Sequence, residues 1–179
     1  PVYELPQASR IAKGQAIVNL LQLQPHERVS AVLKAHLEGK KHLFMTTSRG
    51  TVKRTDISEF QNIRRSGLIA QKMTEGDELK WVLATTGNDE IFILSKKGKA
   101  IRFKEEEVRS MGRAAAGVRG IRLAPNDFVV EAAAVSSPET SELLVVMENG
   151  LGKSSPVSLY RLQGRGGSGV KAAQLTAKT

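Results

Sequence analysis

Short runs of apolar and β-branched residues alternate with glycine-, proline- and acid-rich turns along the whole chain. They fall at Ala16–Leu23, Val29–Leu33, His42–Thr47, Thr51–Thr55, Leu68–Met73 and Leu79–Ala84. They continue at Glu90–Ser95, Ala100–Phe103, Val118–Leu123, Phe128–Val135, Leu143–Met147 and Val170–Ala173. Lengths and alternation of this kind predict strands of antiparallel sheets. The helical candidates are short: Thr55–Ile63 and Lys104–Met111 have room for a turn or two between a strand and a loop.

The strands repeat in a fixed order. LFMTTSRGTVKRT (Leu43–Thr55), IFILSKKGKAIRF (Ile91–Phe103) and LLVVMENGLGKSS (Leu143–Ser155) each read as strand, glycine turn, strand. Their turn glycines, Gly50, Gly98 and Gly150, stand 48 and 52 residues apart, and each is followed by a basic loop closing on Gly67, Gly117 or Gly169. A second turn, PHER, EGDE or PNDF, precedes an apolar strand at Val29, Leu79 and Val129. A period near fifty built of short strands predicts an array of sheet units, none of which buries its apolar face alone. The expected units are a partial one at 1–35, two at 36–86 and 87–135, and an incomplete one at 136–179, so about three to four units with open ends. PVYELPQASR begins in mid-pattern, which points to a piece of a longer protein.

Charge sharpens this picture. The chain of 179 residues has 27 Lys and Arg against 18 Asp and Glu, a net charge of +9. Three windows, Arg49–Lys72, Lys97–Arg122 and Asn149–Lys171, carry +4, +5 and +4, which leaves the remainder at −4. The same part of each repeat is basic, as a surface for a polyanion requires. An aromatic content of 4% supplies poorly the stacking platforms that single-stranded nucleic acid uses. With no cysteine there is no disulfide framework, and no apolar run reaches the roughly 20 residues of a membrane-spanning helix.

Candidate catalytic chemistry is sparse. His26, His36 and His42 lack metal-ligand spacing and are expected at the surface, and Glu105–Glu107 reads as a solvated run. No P-loop, nucleophile elbow or zinc-protease motif occurs. Tyr3 and Tyr160 lie at strand-to-loop junctions without a base or metal partner, and Trp81 in LKWVL is expected to anchor a sheet. Neither a cofactor nor a metal is expected.

The richest motif is YRLQGRGGSGVK, Tyr160–Lys171. Its glycines would let backbone N–H groups approach phosphate, with Arg161, Arg165 and Lys171 adding charge. The plainer alternative is a flexible crossover that happens to be basic. The corresponding loops FQNIRRSG and VRSMGRAAAG are basic too, through Arg64, Arg65, Arg109 and Arg113, which favours polyanion binding.

VYELPQASRIAKGQAIVNLL, GTVKRT, GDEL, GKAIRF, VRSMGRAAAGVRGIRL and YRLQGRGGSGV run over nearly the whole chain and together resemble the C-terminal domain of the DNA gyrase A protein. The resemblance implies an all-β β-pinwheel, a propeller-like array of four-stranded antiparallel blades that exchange strands. It also implies a basic perimeter around which duplex DNA wraps, in a type IIA topoisomerase whose catalytic residues lie elsewhere. The implied partners are double-stranded DNA, the rest of gyrase A and the gyrase B subunit in the A2B2 enzyme, in the bacterial cytoplasm and not at a membrane. The family's box reads Gln, basic, Arg, Gly, Gly, basic, Gly. Gln163, Arg165, Gly166, Gly167 and Gly169 match it, whereas Gly164 and Ser168 replace the two basic residues. The principal box is therefore expected upstream of Pro1.

The expected DNA-contacting set is Arg10, Lys13, Lys53, Arg54, Arg64, Arg65, Arg102, Arg109, Arg113, Lys153, Arg161, Gln163, Arg165, Gly166, Gly167, Gly169 and Lys171. Two other readings stand beside this one: the equivalent domain of topoisomerase IV, and a propeller used for protein interaction.

Overall fold

The computed structural model describes residues 5–21, 23, 27–33, 38–61 and 67–176. Its strands are β1 (His42–Thr47), β2 (Thr51–Asp56), β3 (Leu79–Thr85), β4 (Glu90–Ser95) and β5 (Lys99–Lys104), followed by β6 (Val118–Arg119), β7 (Val129–Val135), β8 (Glu142–Val146), β9 (Gly152–Pro156) and β10 (Val170–Lys171). The fold is all-β, a β-pinwheel, with its helical candidates reduced to 3₁₀ turns at Ile57–Phe60 and Glu105–Glu107 and a third at Val157–Leu159.

Each predicted hairpin forms. The N–H groups of Gly50, Gly98 and Gly150 donate to the carbonyls of Thr47, Ser95 and Met147 at 3.0, 2.9 and 2.9 Å. Gly98 is required twice over. Its φ is 73°, and a Cβ there would stand 2.6 Å from the carbonyl oxygen of Ala173.

Among the described residues two sheets have four strands, ordered β3-β1-β2-β6 and β10-β5-β4-β7, and a third is the pair β8-β9. In both larger sheets the strand after the second turn returns to pair with the first strand of its own hairpin. The opposite edge is closed by the following repeat: Val118 pairs with Val52, and Val170 with Ala100. These closing ladders are two residues long. The N–H groups of Gly120 and Ile121 then turn to the carbonyl of Gly50, as those of Ala172 and Ala173 turn to that of Gly98.

The second turn is tied to the hairpin by one carboxylate. Asp77 accepts from Ser48 Oγ at 2.8 Å, the Arg49 N–H at 3.0 Å and the Glu78 N–H at 2.9 Å. Burial alone would raise the Asp77 carboxyl. Hydrogen bonds from Thr47, Ser48, Arg49 and Glu78 outweigh it and hold the group below its ordinary value. Asp127 repeats the arrangement with the N–H groups of Lys97 and Phe128.

The core lies between the two four-stranded sheets. Phe44, Val52, Ile91, Ile93, Ile101, Phe103, Val108 and Ile121 are buried together, and Phe44 meets Phe103 at 6.3 Å. Trp81 is half-buried against this cluster, in the anchoring role its sequence context suggests. A second cluster joins Phe92, Ala100, Tyr160 and Ala172, with the Tyr160 ring edge-on to Phe92 at 5.0 Å.

Several expectations are corrected. Ala16–Leu23 forms a 3₁₀ turn at Ile17–Asn19 rather than a strand, and Val29–Leu33 and Leu68–Met73 join no ladder. The last of these is held by single bonds instead, from the Lys72 N–H to the Ala115 carbonyl and from Gln71 Nε2 to the Ala116 carbonyl. His42 is half-buried rather than at the surface, with Nδ1 at 3.8 Å from Glu105 Oε1. Burial, and then the Arg54 guanidinium, lower its pKa, so the ring is neutral near pH 7 and this approach is no ion pair. Glu105, read as solvated, is fully buried; it accepts from Thr85 Oγ1 and the Asp89 N–H and faces Arg54. Tyr3, His26 and His36 lie outside the described residues.

Candidate nucleic-acid interface

The cations divide into two populations. One holds repeat to repeat. Lys53 is completely buried, and its ammonium donates to the carbonyls of Ala70, at 2.6 Å, and Arg113. Burial lowers its pKa, with Glu59 opposing. In this placement the Lys53 ammonium serves main-chain carbonyls of two basic loops instead of offering the expected phosphate contact.

Arg54 and Arg102, at equivalent places after their turn glycines, are likewise drawn into contacts within the protein. Their side chains are only 13% and 12% exposed. Arg54 NH1 faces Glu105 Oε1 at 3.5 Å. Arg102 donates from Nε to Glu90 at 2.5 Å and from NH1 to the carbonyls of Val157 and Tyr160 at 3.1 and 2.9 Å. In both cases the guanidinium grips the 3₁₀ turn of the following repeat. A planar fork with five donors suits that task.

The glycine-rich loop also turns inward. The Arg165 N–H donates to Glu107 Oε2 at 2.8 Å, its Nε to the Glu107 carbonyl at 3.0 Å and its NH1 to the Arg119 carbonyl at 3.1 Å. The Gly166 N–H donates to the Gly120 carbonyl at 2.6 Å, the Gly167 carbonyl accepts from Arg122, and the Gln163 N–H meets the Arg102 carbonyl. Gly169 lies directly on the Ala100 carbonyl, where a Cβ would collide. The loop therefore latches onto the preceding repeat in this structure, with the N–H groups of Arg165 and Gly166 on protein acceptors and the Arg165 side chain exposed. Gln163 is half-buried at its root.

The second population is exposed. Lys153, Arg161 and Lys171 gather around a cleft of about 300 Å³ whose lining contains no carboxylate. A second cleft, of about 620 Å³, is lined by Arg49, Arg119 and Arg122 with Thr51, Thr74 and Gly117, again without an acid. Lys171 stands directly across the β10–β5 ladder from Lys99, and both are exposed. Like charges directly opposite on neighbouring strands repel. Arg10, Lys13 and Arg109 are exposed elsewhere, Arg113 is half-buried, and Arg64 and Arg65 lie outside the described residues.

Arg49, Lys99, Arg119 and Arg122 are members of this surface that sequence reasoning missed. A signal for one of them was present: Arg119 and Lys171 each stand two residues after a closing glycine, in the step Gly-Val-basic.

Comparison with known proteins fits this geometry. The sequence profile of the family described as "DNA gyrase C-terminal domain, beta-propeller" matches residues 1–35, 41–86, 89–136 and 141–178. The chain belongs to this DNA gyrase C-terminal domain family. It is 43% identical over 178 residues to the DNA gyrase A protein of Salmonella typhimurium, covering 99% of this chain and 20% of that protein. It is 46% identical over 180 residues to the Helicobacter pylori gyrase A protein, covering 99% of this chain and 22% of that one. The chain thus spans about a fifth of the length of these relatives. Among solved structures, a DNA gyrase A C-terminal domain superposes with a TM-score of 0.81 at 28% identity, covering 93% of this chain and 56% of that one. A topoisomerase IV C-terminal domain superposes with a TM-score of 0.84 at 27% identity, covering 96% and 53%. No helix among the described residues is long and apolar enough to cross a membrane.

Proposed function

We propose that this chain is a non-catalytic DNA-binding and DNA-wrapping module of a bacterial DNA gyrase. It curves duplex DNA around a basic perimeter in support of negative supercoiling. The observation that carries this reading is the exposed Lys99–Lys171 pair, flanked by acid-free clefts at Arg49, Arg119 and Arg122 and at Lys153, Arg161 and Lys171. Side chains of this kind contact phosphates, release condensed counterions and carry little sequence information. Smoothly bending 20–30 bp by 40–90° costs on the order of 1–6 kcal/mol, which only contacts spread over several repeats can offset. Strand passage, the cleaving tyrosine and ATP hydrolysis belong in this reading to the rest of gyrase A and to gyrase B, the partners in the cytoplasmic A2B2 enzyme. Sequence identity above 40% with gyrase A proteins favours gyrase over the topoisomerase IV alternative.

Equilibrium binding to duplexes of about 20, 40 and 80 bp at two salt concentrations tests the proposal. Site-normalised affinity that grows with length and falls steeply with salt is the expected result. Tight binding independent of length would mean one local site and no wrapping. No binding at low salt would favour a protein-interaction module.

A further inference from the structure

Three arginines meet at the joint where the repeat at 87–135 closes the one at 36–86. Arg49 precedes the turn glycine of the first hairpin, Arg119 lies on β6, and Arg122 follows three residues later. All three are exposed. They line a cleft of about 620 Å³ whose other polar side chains are those of Thr51 and Thr74. Among the described residues none of the three guanidinium groups makes a hydrogen bond or an ion pair.

Their backbones, by contrast, are held on every side. The Arg49 N–H donates to Asp77 at 3.0 Å, and its guanidinium lies over Gly76, where a Cβ would stand 2.9 Å from NH2. Arg119 stands across the β2–β6 ladder from Thr51, and its carbonyl accepts from Arg165 NH1 at 3.1 Å. The Arg122 N–H donates to the Gly167 carbonyl at 2.8 Å. The joint between the repeats at 87–135 and 136–179 follows the same plan with different chemistry. Lys97, Lys99 and Lys171 stand where Arg49, Thr51 and Arg119 do, and Gln174 stands where Arg122 does. Lys97 donates its ammonium to the Pro125 carbonyl at 2.5 Å, which leaves Lys99 and Lys171.

We propose that the arginine cleft clamps a phosphodiester of duplex DNA and anchors the chain against sliding, while the lysine joint holds the duplex by charge alone. The inference rests on the DNA-binding reading above and gives its two joints unlike tasks. A guanidinium is a planar fork that meets two phosphate oxygens at once, whereas an ammonium is a point charge that tolerates displacement. Side chains carried on backbone that is already fixed lose less freedom when they engage a ligand. Directed phosphate contacts position a protein on the duplex, and purely electrostatic ones let it slide. Hydroxyls such as those of Thr51 and Thr74 serve as phosphate donors as well.

The test keeps the charge and removes the forks. Arg49→Lys, Arg119→Lys and Arg122→Lys are combined in one chain, and its binding to a duplex of about 20 bp is followed over a range of salt. Affinity should fall roughly tenfold, the scale of one charge-assisted hydrogen bond. The salt slope should stay as it is, because no cation is lost. On long stretched DNA the variant should slide faster than the unaltered chain at the same salt. Thermal unfolding, expected to be unchanged at these exposed positions, confirms that both chains are folded. A second measurement needs no variant: in the unaltered chain the Nε–H resonances of Arg49, Arg119 and Arg122 should shift together as the duplex is added. Equal affinity and equal sliding of the two chains would overturn the clamp. So would resonances that respond to inorganic pyrophosphate and not to the duplex, the mark of a free-anion site. Failure of the unaltered chain to bind any duplex at low salt would instead overturn the DNA-binding reading, and the clamp with it.

Discussion

Lys53 and Lys153 each stand three residues after a hairpin glycine, yet one is fully buried and the other exposed. The difference is the next repeat. Beside β2 lie β6 and the loops carrying Ala70 and Arg113, whose carbonyls take the Lys53 ammonium; among the described residues nothing pairs with β9 in the same way. Replacing Lys53 by Met strands two carbonyl groups in a dry site. Loss of about 1–3 kcal/mol of stability is expected, the usual cost of leaving a buried polar group unsatisfied. The same change at Lys153 should stay within about 0.5 kcal/mol, as at other exposed positions. Urea denaturation of the two variants measures the contrast. Equal losses would mean that the carbonyl contacts of Lys53 contribute nothing.

Glycine at the closing position is required for a different reason. Gly117 has a φ of 103°, and a Cβ there would stand 2.6 Å from the Val52 carbonyl oxygen. Gly150, with a φ of 80°, has open space around it. Gly150→Ala should therefore cost only the left-handed backbone strain, about 1–2 kcal/mol. Gly117→Ala must in addition push β2 and the closing loop apart, so its loss should be clearly larger. Thermal unfolding of both variants decides the order, and equal shifts would remove close approach as the cause.

Much of the fold was legible because its hairpins are locally specified. Turn glycines and flanking apolar runs mark β1, β2, β4, β5, β8 and β9 directly, and the acidic second turn marks β3 and β7. The failures occur where a segment depends on a distant edge. Val29–Leu33 has a strand's pattern but joins no ladder among the described residues, and Leu68–Met73 runs along a loop that offers single acceptors rather than a ladder. The candidate site was legible as a region and poorly as residues. A lysine or arginine reads the same in sequence whether it faces solvent or a neighbouring repeat's carbonyls. The buried uses of Lys53, Arg54 and Arg102 could be seen only once strand exchange had brought the next repeat against them.

Acid should weaken the fold in two stages. His42 sits beside Arg54, Glu105, Asp56 and Lys41, with a pKa lowered chiefly by burial. Between that lowered value and 6.5 the unfolded chain holds a proton that the folded chain lacks, so stability falls as pH drops below 6.5. Asp77 and Asp89, both held below 3.8 by hydrogen bonds that outweigh burial, are protonated later. Their contribution is present above 3.8 and is lost as pH falls through their lowered values. His42→Gln should flatten the first stage and leave the second unchanged, as read from denaturant midpoints between pH 7 and 3. An unchanged slope near pH 6 would assign the first stage to another group.

Lys171 and Arg165 should separate binding from architecture, although both lie in the same basic loop region. Lys171 faces Lys99 across the ladder with its ammonium exposed, whereas Arg165 binds Glu107 and the Arg119 carbonyl. Lys171→Ala removes a like-charge repulsion in the free protein and a phosphate contact in the complex. Its stability should be unchanged or slightly higher, while DNA binding weakens alike on unrelated sequences and the salt slope becomes shallower by about one. Arg165→Ala releases the latch, so stability should fall, and DNA binding should weaken through displacement of the loop carrying Arg161 and Lys171. Glu107→Gln gives the decisive comparison. It weakens the latch by removing a carboxylate charge, yet takes no cation from the surface. If Glu107→Gln reproduces the stability loss of Arg165→Ala while keeping the full salt slope, Arg165 acts as a strap. If Arg165→Ala lowers the slope by one and leaves stability intact, its guanidinium is a phosphate ligand instead.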